Sequence, residues 1–78
     1  MNAIDGFVIE PTTGTIPPRI EVWRKHFGEE YQIASVFSRD EAEVVVRAWI
    51  AAGDPDPSQY SPAVDLAIER ALDACRNA

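Results

Sequence analysis

The apolar positions change spacing twice along this chain, and the changes divide it into strands and then helices. Phe7-Val8-Ile9 is a short apolar, β-branched run, which predicts a strand over residues 6–10 that Pro11 terminates. Residues 11–18, with Pro11, Gly14, Pro17 and Pro18, read as a loop. Arg19-Ile20-Glu21-Val22-Trp23-Arg24-Lys25 then alternates, with Ile20 and Val22 on one face and Glu21 and Trp23 on the other. A turn over His26–Glu30, with Gly28 free to take a positive φ, returns the chain along Tyr31–Phe37 and gives a hairpin over 19–37. The returning strand offers two inward sets, Tyr31/Ile33/Phe37 and Ala34/Val36, and the pattern leaves both open.

From Ser38 onward the spacing becomes helical. Ser38-Arg39-Asp40-Glu41 has the capping-box arrangement: the Ser38 hydroxyl can accept from the Glu41 N–H while the Glu41 carboxylate reaches back. Asp40 and Glu41 also suit the positive end of a helix dipole. The predicted helix runs over 39–52, with Ala42, Val45, Val46 and Trp49 in one stripe and Ile50 and Ala52 at its edges. Gly53 stops it, and Asp54-Pro55-Asp56-Pro57 forms a stiff linker. Ser61 as N-cap and Pro62 at the first helical position begin a second helix over 62–76, with a stripe of Val64, Ala67, Ile68, Ala71, Leu72 and Cys75.

The resulting order is β–β–β–α–α, an α+β fold in which a small antiparallel sheet, made of a hairpin and an N-terminal strand, packs against two C-terminal helices as a single domain over 1–78. A domain of this size gains little from area alone, so Phe7, Trp23, Phe27, Tyr31, Phe37 and Trp49 are expected to supply much of its burial. Whether Trp23 or the Ile20/Val22 pair turns toward water depends on which sheet face the helices cover. An exposed Trp23 beside Glu21 and Lys25 would be an interface anchor. Val44, Ala51 and Leu66 fall off the apolar stripes and are candidate partner contacts, although single exposed apolar residues are ordinary.

Charge narrows the partners. Thirteen Asp and Glu stand against seven Lys and Arg, a formal net charge of −6, and the excess lies in both halves. Phosphate backbones repel such a surface, so direct nucleic-acid binding is not expected, even with Arg19, Arg24 and Lys25 close together. Basic proteins are the matching partners, while the plainest reading of the acidity is that it keeps a small domain soluble. No apolar run reaches the roughly 18 residues of a membrane span. The first six residues lack a basic start and an apolar stretch, so no signal peptide is expected, and the single Cys75 has no internal disulfide partner. The cytoplasm is the expected location.

Chemistry is sparse. His26 is the only histidine, and nothing recurs at zinc-ligand spacing, so no metal or other cofactor is expected. Cys75 sits on an apolar stripe and reads as a small buried hydrophobe, not a nucleophile. The carboxylate pairs Glu29-Glu30, Asp40-Glu41 and Asp54/Asp56 have structural explanations as a turn, a helix N-terminus and a linker. The four glycines stand apart, so no phosphate loop is present. The expectation is a non-catalytic protein.

The layout Tyr31–Phe37, Ser38–Ala52, Gly53–Pro57, Ser61–Arg76, with the length and acidity of the chain, resembles small phage-borne anti-CRISPR proteins. The resemblance includes no shared motif and transfers no functional residue. It implies an inhibitor in the host bacterial cytoplasm that occupies a basic nucleic-acid-binding surface of a CRISPR surveillance complex, partly by charge mimicry. The expected contacts, read from the residues, are Glu29, Glu30 and Tyr31 at the hairpin, then Asp40, Glu43, Asp54 and Asp56, with Trp23 as an aromatic anchor. The alternative is a self-associating module, a homodimer through an uncovered sheet face or through Phe7–Ile9 as an edge strand.

Overall fold

A computed structural model describes residues 2–4, 6–12, 14, 16–59 and 61–77, with the side chains of 2–4 outside the description. Four strands, β1 (Asn2–Ile4), β2 (Phe7–Thr12), β3 (Arg19–His26) and β4 (Glu29–Val36), are followed by α1 (Arg39–Ala51) and α2 (Pro62–Arg76). The sheet is antiparallel throughout, in the order β1-β2-β3-β4. This is the α+β arrangement of a small antiparallel sheet and two C-terminal helices, with one more strand than the alternation indicates.

The extra strand changes two expectations. Because β1 pairs with Phe7–Ile9, that segment is an interior strand and offers no edge to a second subunit. Nor does Pro11 end β2, which continues through Thr12 with Pro11 opposite Ile20. The described pairing with β1 stops at Ile9, so Pro11 lies where β2 has a ladder neighbour on the β3 side only. A residue without an N–H is tolerated along such an open margin.

The two inward sets of β4 are reconciled by a bulge. Val22 pairs with Ala34 and Trp23 with Gln32, which leaves Ile33 as an extra residue in β4. An inserted residue reverses the parity of the pleat. Tyr31, opposite Arg24, and Ile33 therefore share the helix side of the sheet with Ala34, opposite Val22, and Val36, opposite Ile20. Ile33, Ala34 and Val36 all join the core. Phe37 lies beyond the strand and remains half exposed, with the guanidinium groups of Arg19 and Arg76 over its ring at 5.0 and 5.7 Å from the centroid.

The core lies between one sheet face and the helices. Phe7, Ile9, Val22 and Val36 from the sheet meet Ala42, Val45, Val46 and Trp49 of α1 and Ile68 and Leu72 of α2. The α1 stripe is thus the one the spacing indicates. Val44 departs from it: it packs half-buried against the core and does not face outward. Val8 is buried but lies outside this cluster, opposite Trp23 in the ladder on the other sheet face. Trp23 there is half-buried, and its Nε1 is buried without a hydrogen-bond partner among the described residues. Of the two alternatives, the helices cover Ile20 and Val22, so Trp23 lies on the uncovered sheet face, half-buried there and not fully open.

Both helix starts are capped by serine. Ser38 Oγ accepts from the Glu41 N–H at 3.2 Å, and Ser61 Oγ accepts from the Val64 N–H at 3.4 Å. The Glu41 carboxylate reaches back one residue further than a capping box requires. Its Oε1 accepts from the Phe37 N–H at 2.8 Å, and its Oε2 accepts from Arg76 Nε at 2.7 Å. Glu41, only 8% exposed, so joins the first turn of α1 to the last turn of α2. The side-chain hydrogen bond from Arg76, then the Phe37 N–H, hold its carboxyl below the usual glutamate range. The first helix ends at Ala51, one residue before the expected limit, with Ala52 as its C-cap.

Candidate functional site: the braced hairpin corner

The tight end of the β3–β4 hairpin and the 54–57 linker meet at one corner. The turn is Phe27-Gly28, and both residues have positive φ (50° and 81°), as a two-residue type I′ hairpin turn requires. Glycine adopts this conformation freely; a bulky side chain does so only at a cost. Phe27 is 94% exposed, and its ring lies edge-on to the His26 ring at 4.4 Å between centroids. This overturns its expected place in the core: the turn geometry that closes the hairpin directs the side chain away from both sheet faces.

The corner is held by an ion pair that sequence distance conceals. Arg24 Nε and Nη2 donate to Asp54 Oδ1 (2.9 Å) and Oδ2 (2.7 Å), a two-pronged contact between residues thirty apart. Arg24 Nη1 also donates to the backbone oxygens of Gly6 and Lys25 at 3.2 and 2.6 Å, and the guanidinium lies over the Phe7 ring at 4.9 Å. Trp49 Nε1 donates to the same Asp54 Oδ1 at 3.1 Å. Asp54 takes a positive φ of 48°, which a short polar side chain tolerates. The hydrogen bond from Arg24 holds the Asp54 carboxyl below its ordinary range and raises the guanidinium in turn.

A second approach brings the hairpin tip close to the linker. His26 Nε2 lies 3.3 Å from Asp56 Oδ1, the oxygen that also accepts from the Ser58 N–H and hydroxyl. Those Ser58 hydrogen bonds are the main reason the Asp56 carboxyl is lowered, with His26 adding to them. Along β4, Tyr31 Oη donates to Glu29 Oε2 at 2.7 Å, and this hydrogen bond raises the phenol above its usual range. Beside the linker lies an open cleft of about 100 Å³ walled by Ile33, Trp49, Pro55, Pro57 and Val64.

Five of the eight expected contact residues, Glu29, Glu30, Tyr31, Asp54 and Asp56, are thus gathered here, but they are not equivalent. Asp54 is committed to Arg24 and Trp49, so its charge serves the fold. Glu29 and Glu30 are exposed at the start of β4. Asp40 and Glu43 lie apart from the corner, on the first turns of α1, and Trp23 lies on the far sheet face. Phe27 is the residue that sequence reasoning placed wrongly. The signal that could have found it is the spacing: strands ending at His26 and Glu29 leave only Phe27-Gly28 for the turn, with Phe27 in a position that asparagine or glycine normally fills.

The rest of the molecule supplies little chemistry. Cys75 is half-buried in the last turns of α2 and His26 is in the hairpin corner. Among the described residues no group of three or more His, Cys, Asp or Glu is arranged to hold a metal ion, and no helix is long and apolar enough to cross a membrane. No protein family model matches the chain, and neither a curated protein nor a solved structure was found to match it.

Proposed function

We propose that the chain is a non-catalytic, acidic protein-binding module that occupies a basic, nucleic-acid-binding surface of a partner complex in the bacterial cytoplasm, as a small phage-borne inhibitor would. The observation that carries this reading is the hairpin corner, where the exposed carboxylates Glu29 and Glu30 stand beside a turn braced against the linker by Arg24–Asp54, with His26 Nε2 3.3 Å from Asp56. A rigid acidic projection loses little conformational entropy on docking, and opposite charge speeds encounter. The formal net charge of −6 extends the same attraction over the whole molecule.

The test is capture from a bacterial lysate with the tagged chain, compared with Glu29→Lys/Glu30→Lys, with the eluate probed for nucleic acid. The expected outcome is a basic nucleic-acid-processing complex that elutes free of its nucleic acid, leaves at high salt and is lost with the double variant. Circular dichroism should show the variant folded, since both side chains are exposed. Equal capture by the folded variant would remove the hairpin from the contact, and recovery of the bait alone with a dimer mass would sink the reading in favour of self-association.

A further inference from the structure

Phe27 breaks two rules at once. It occupies the first central position of a turn that needs φ > 0, where a β-carbon is strained, and it exposes 94% of its surface, so burial returns nothing for that strain. The neighbouring ring of His26, at 4.4 Å, is its one aromatic contact among the described residues. Local violations that the fold does not compensate are expected where a residue is held for another purpose. The turn itself is well supported: Lys25 pairs with Glu30 and His26 with Glu29 directly beneath it, and Arg24, next but one to His26 in β3, is held by Asp54. The ring therefore stands on a rigid base, pointing away from the molecule.

We infer that Phe27 is the anchor side chain of the binding corner, and that it enters an apolar pocket on the partner whose rim carries Lys and Arg. This rests on the reading proposed above and specifies what the partner must offer. A buried aromatic at the centre of a contact supplies most of its residence time, while charges around it set orientation. The charges around Phe27 are mainly acidic: Glu29, Glu30 and Asp56 against Lys25, with Arg24 and Asp54 neutralising each other. An anionic lipid surface or a nucleic acid would oppose this rim, and so would a second copy of the chain. A basic protein pocket matches it.

Two measurements test the inference. Phe27→Asn places a turn-favoured residue at the position. If the ring serves binding and not folding, the variant unfolds at a higher temperature than the parent; a lower unfolding temperature makes Phe27 a fold residue and overturns the inference. In the second, benzoylphenylalanine at position 27 is photo-cross-linked in a bacterial lysate and the adduct is mapped by mass spectrometry. The expected adduct lies on apolar residues flanked by Lys or Arg of one protein. Parent chain competes it, and Phe27→Asn needs at least about thirtyfold more, the loss typical of a central anchor. No adduct that the parent competes, an adduct on lipid or on the chain itself, or equal competition by Phe27→Asn overturns it. Equal competition by Glu29→Lys/Glu30→Lys, with Phe27→Asn still deficient, keeps the anchor but overturns its basic rim, and with it the charge-driven reading above.

Discussion

Removing the Glu41 side chain should uncouple the two helices. Its Oε1 is the acceptor for the Phe37 N–H at 2.8 Å, in a part-buried position, and a hydrogen bond to a charged acceptor contributes roughly 1.5–3 kcal/mol. The contact with Arg76 adds less, because that side chain is 41% exposed and regains water when released. Glu41→Ala should therefore cost about 2–3 kcal/mol, or roughly 10–20 °C in unfolding temperature for a chain of this length. Glu41→Gln keeps an acceptor for Phe37 and loses the charge, so it should cost about half as much. Urea unfolding followed by circular dichroism at pH 7 measures both. A cost below about 0.5 kcal/mol for Glu41→Ala would refute the argument, and equal costs for the two variants would refute the share assigned to Phe37.

The pH dependence has a defined sign. The folded state holds the Glu41 carboxyl below its unfolded value, near about 4.3. Folding then gains from the ionised form, fully so above the unfolded pKa. The gain declines as pH falls below about 4 and is gone once the folded pKa is passed. The stability difference between the parent and Glu41→Gln should shrink over that window, and a difference that grows on acidification would contradict the assignment.

Other expectations are simpler. Phe7→Ala, at a site 1% exposed, should cost about 3–5 kcal/mol, close to the total stability of such a domain, and abolish the cooperative urea transition. Asp54→Asn preserves an acceptor for Trp49 and tolerance of positive φ, so it should cost under about 1 kcal/mol while altering indole fluorescence; a loss of several kcal/mol would mean the Arg24 pair is more than a surface brace. Gly6→Ala places a β-carbon 2.6 Å from Arg24 Nη1 at a residue with φ +88°, and a loss of about 1–2 kcal/mol is expected in thermal unfolding. An unchanged unfolding temperature would show that neither the contact with Arg24 nor the positive φ is costly there.

What could be read in the sequence was what neighbouring residues decide together. Ser38 with Glu41, Ser61 with Pro62, and the 42/45/46/49 stripe each act within a turn or two of helix, and each is found as read. The sheet was legible in type but not in detail. Three residues, Asn2–Ile4, are too few to show alternation, so β1 and the interior position of β2 were invisible. Ile33 interrupts the period of β4 at the point where reading the period matters. The corner depends on Arg24 meeting Asp54 and His26 meeting Asp56, each across thirty residues, and no local rule reports such a meeting. For the same reason acidic residues that look alike in the sequence divide into those that serve the fold, Asp54 and Glu41, and those that stay exposed, Glu29 and Glu30.

The bulge at Ile33 has a bearing on how readily the open edge of this sheet accepts a further strand. The outer margin of β4 is where another chain could add a strand, and a regular margin is a template for fibres. One supernumerary residue breaks the spacing of that template. Deleting Ile33 leaves Gln32 opposite Trp23 and Ala34 opposite Val22, now consecutive, so the ladder closes without a shift at either end. The shortened chain should keep its sheet and lose its protection, with thioflavin fluorescence rising on incubation where the parent stays clear. A shortened chain as quiet as the parent would assign that protection elsewhere. On this view Ile33 does two unrelated jobs: it fills the core, and it makes the molecule a poor mould for its own copies.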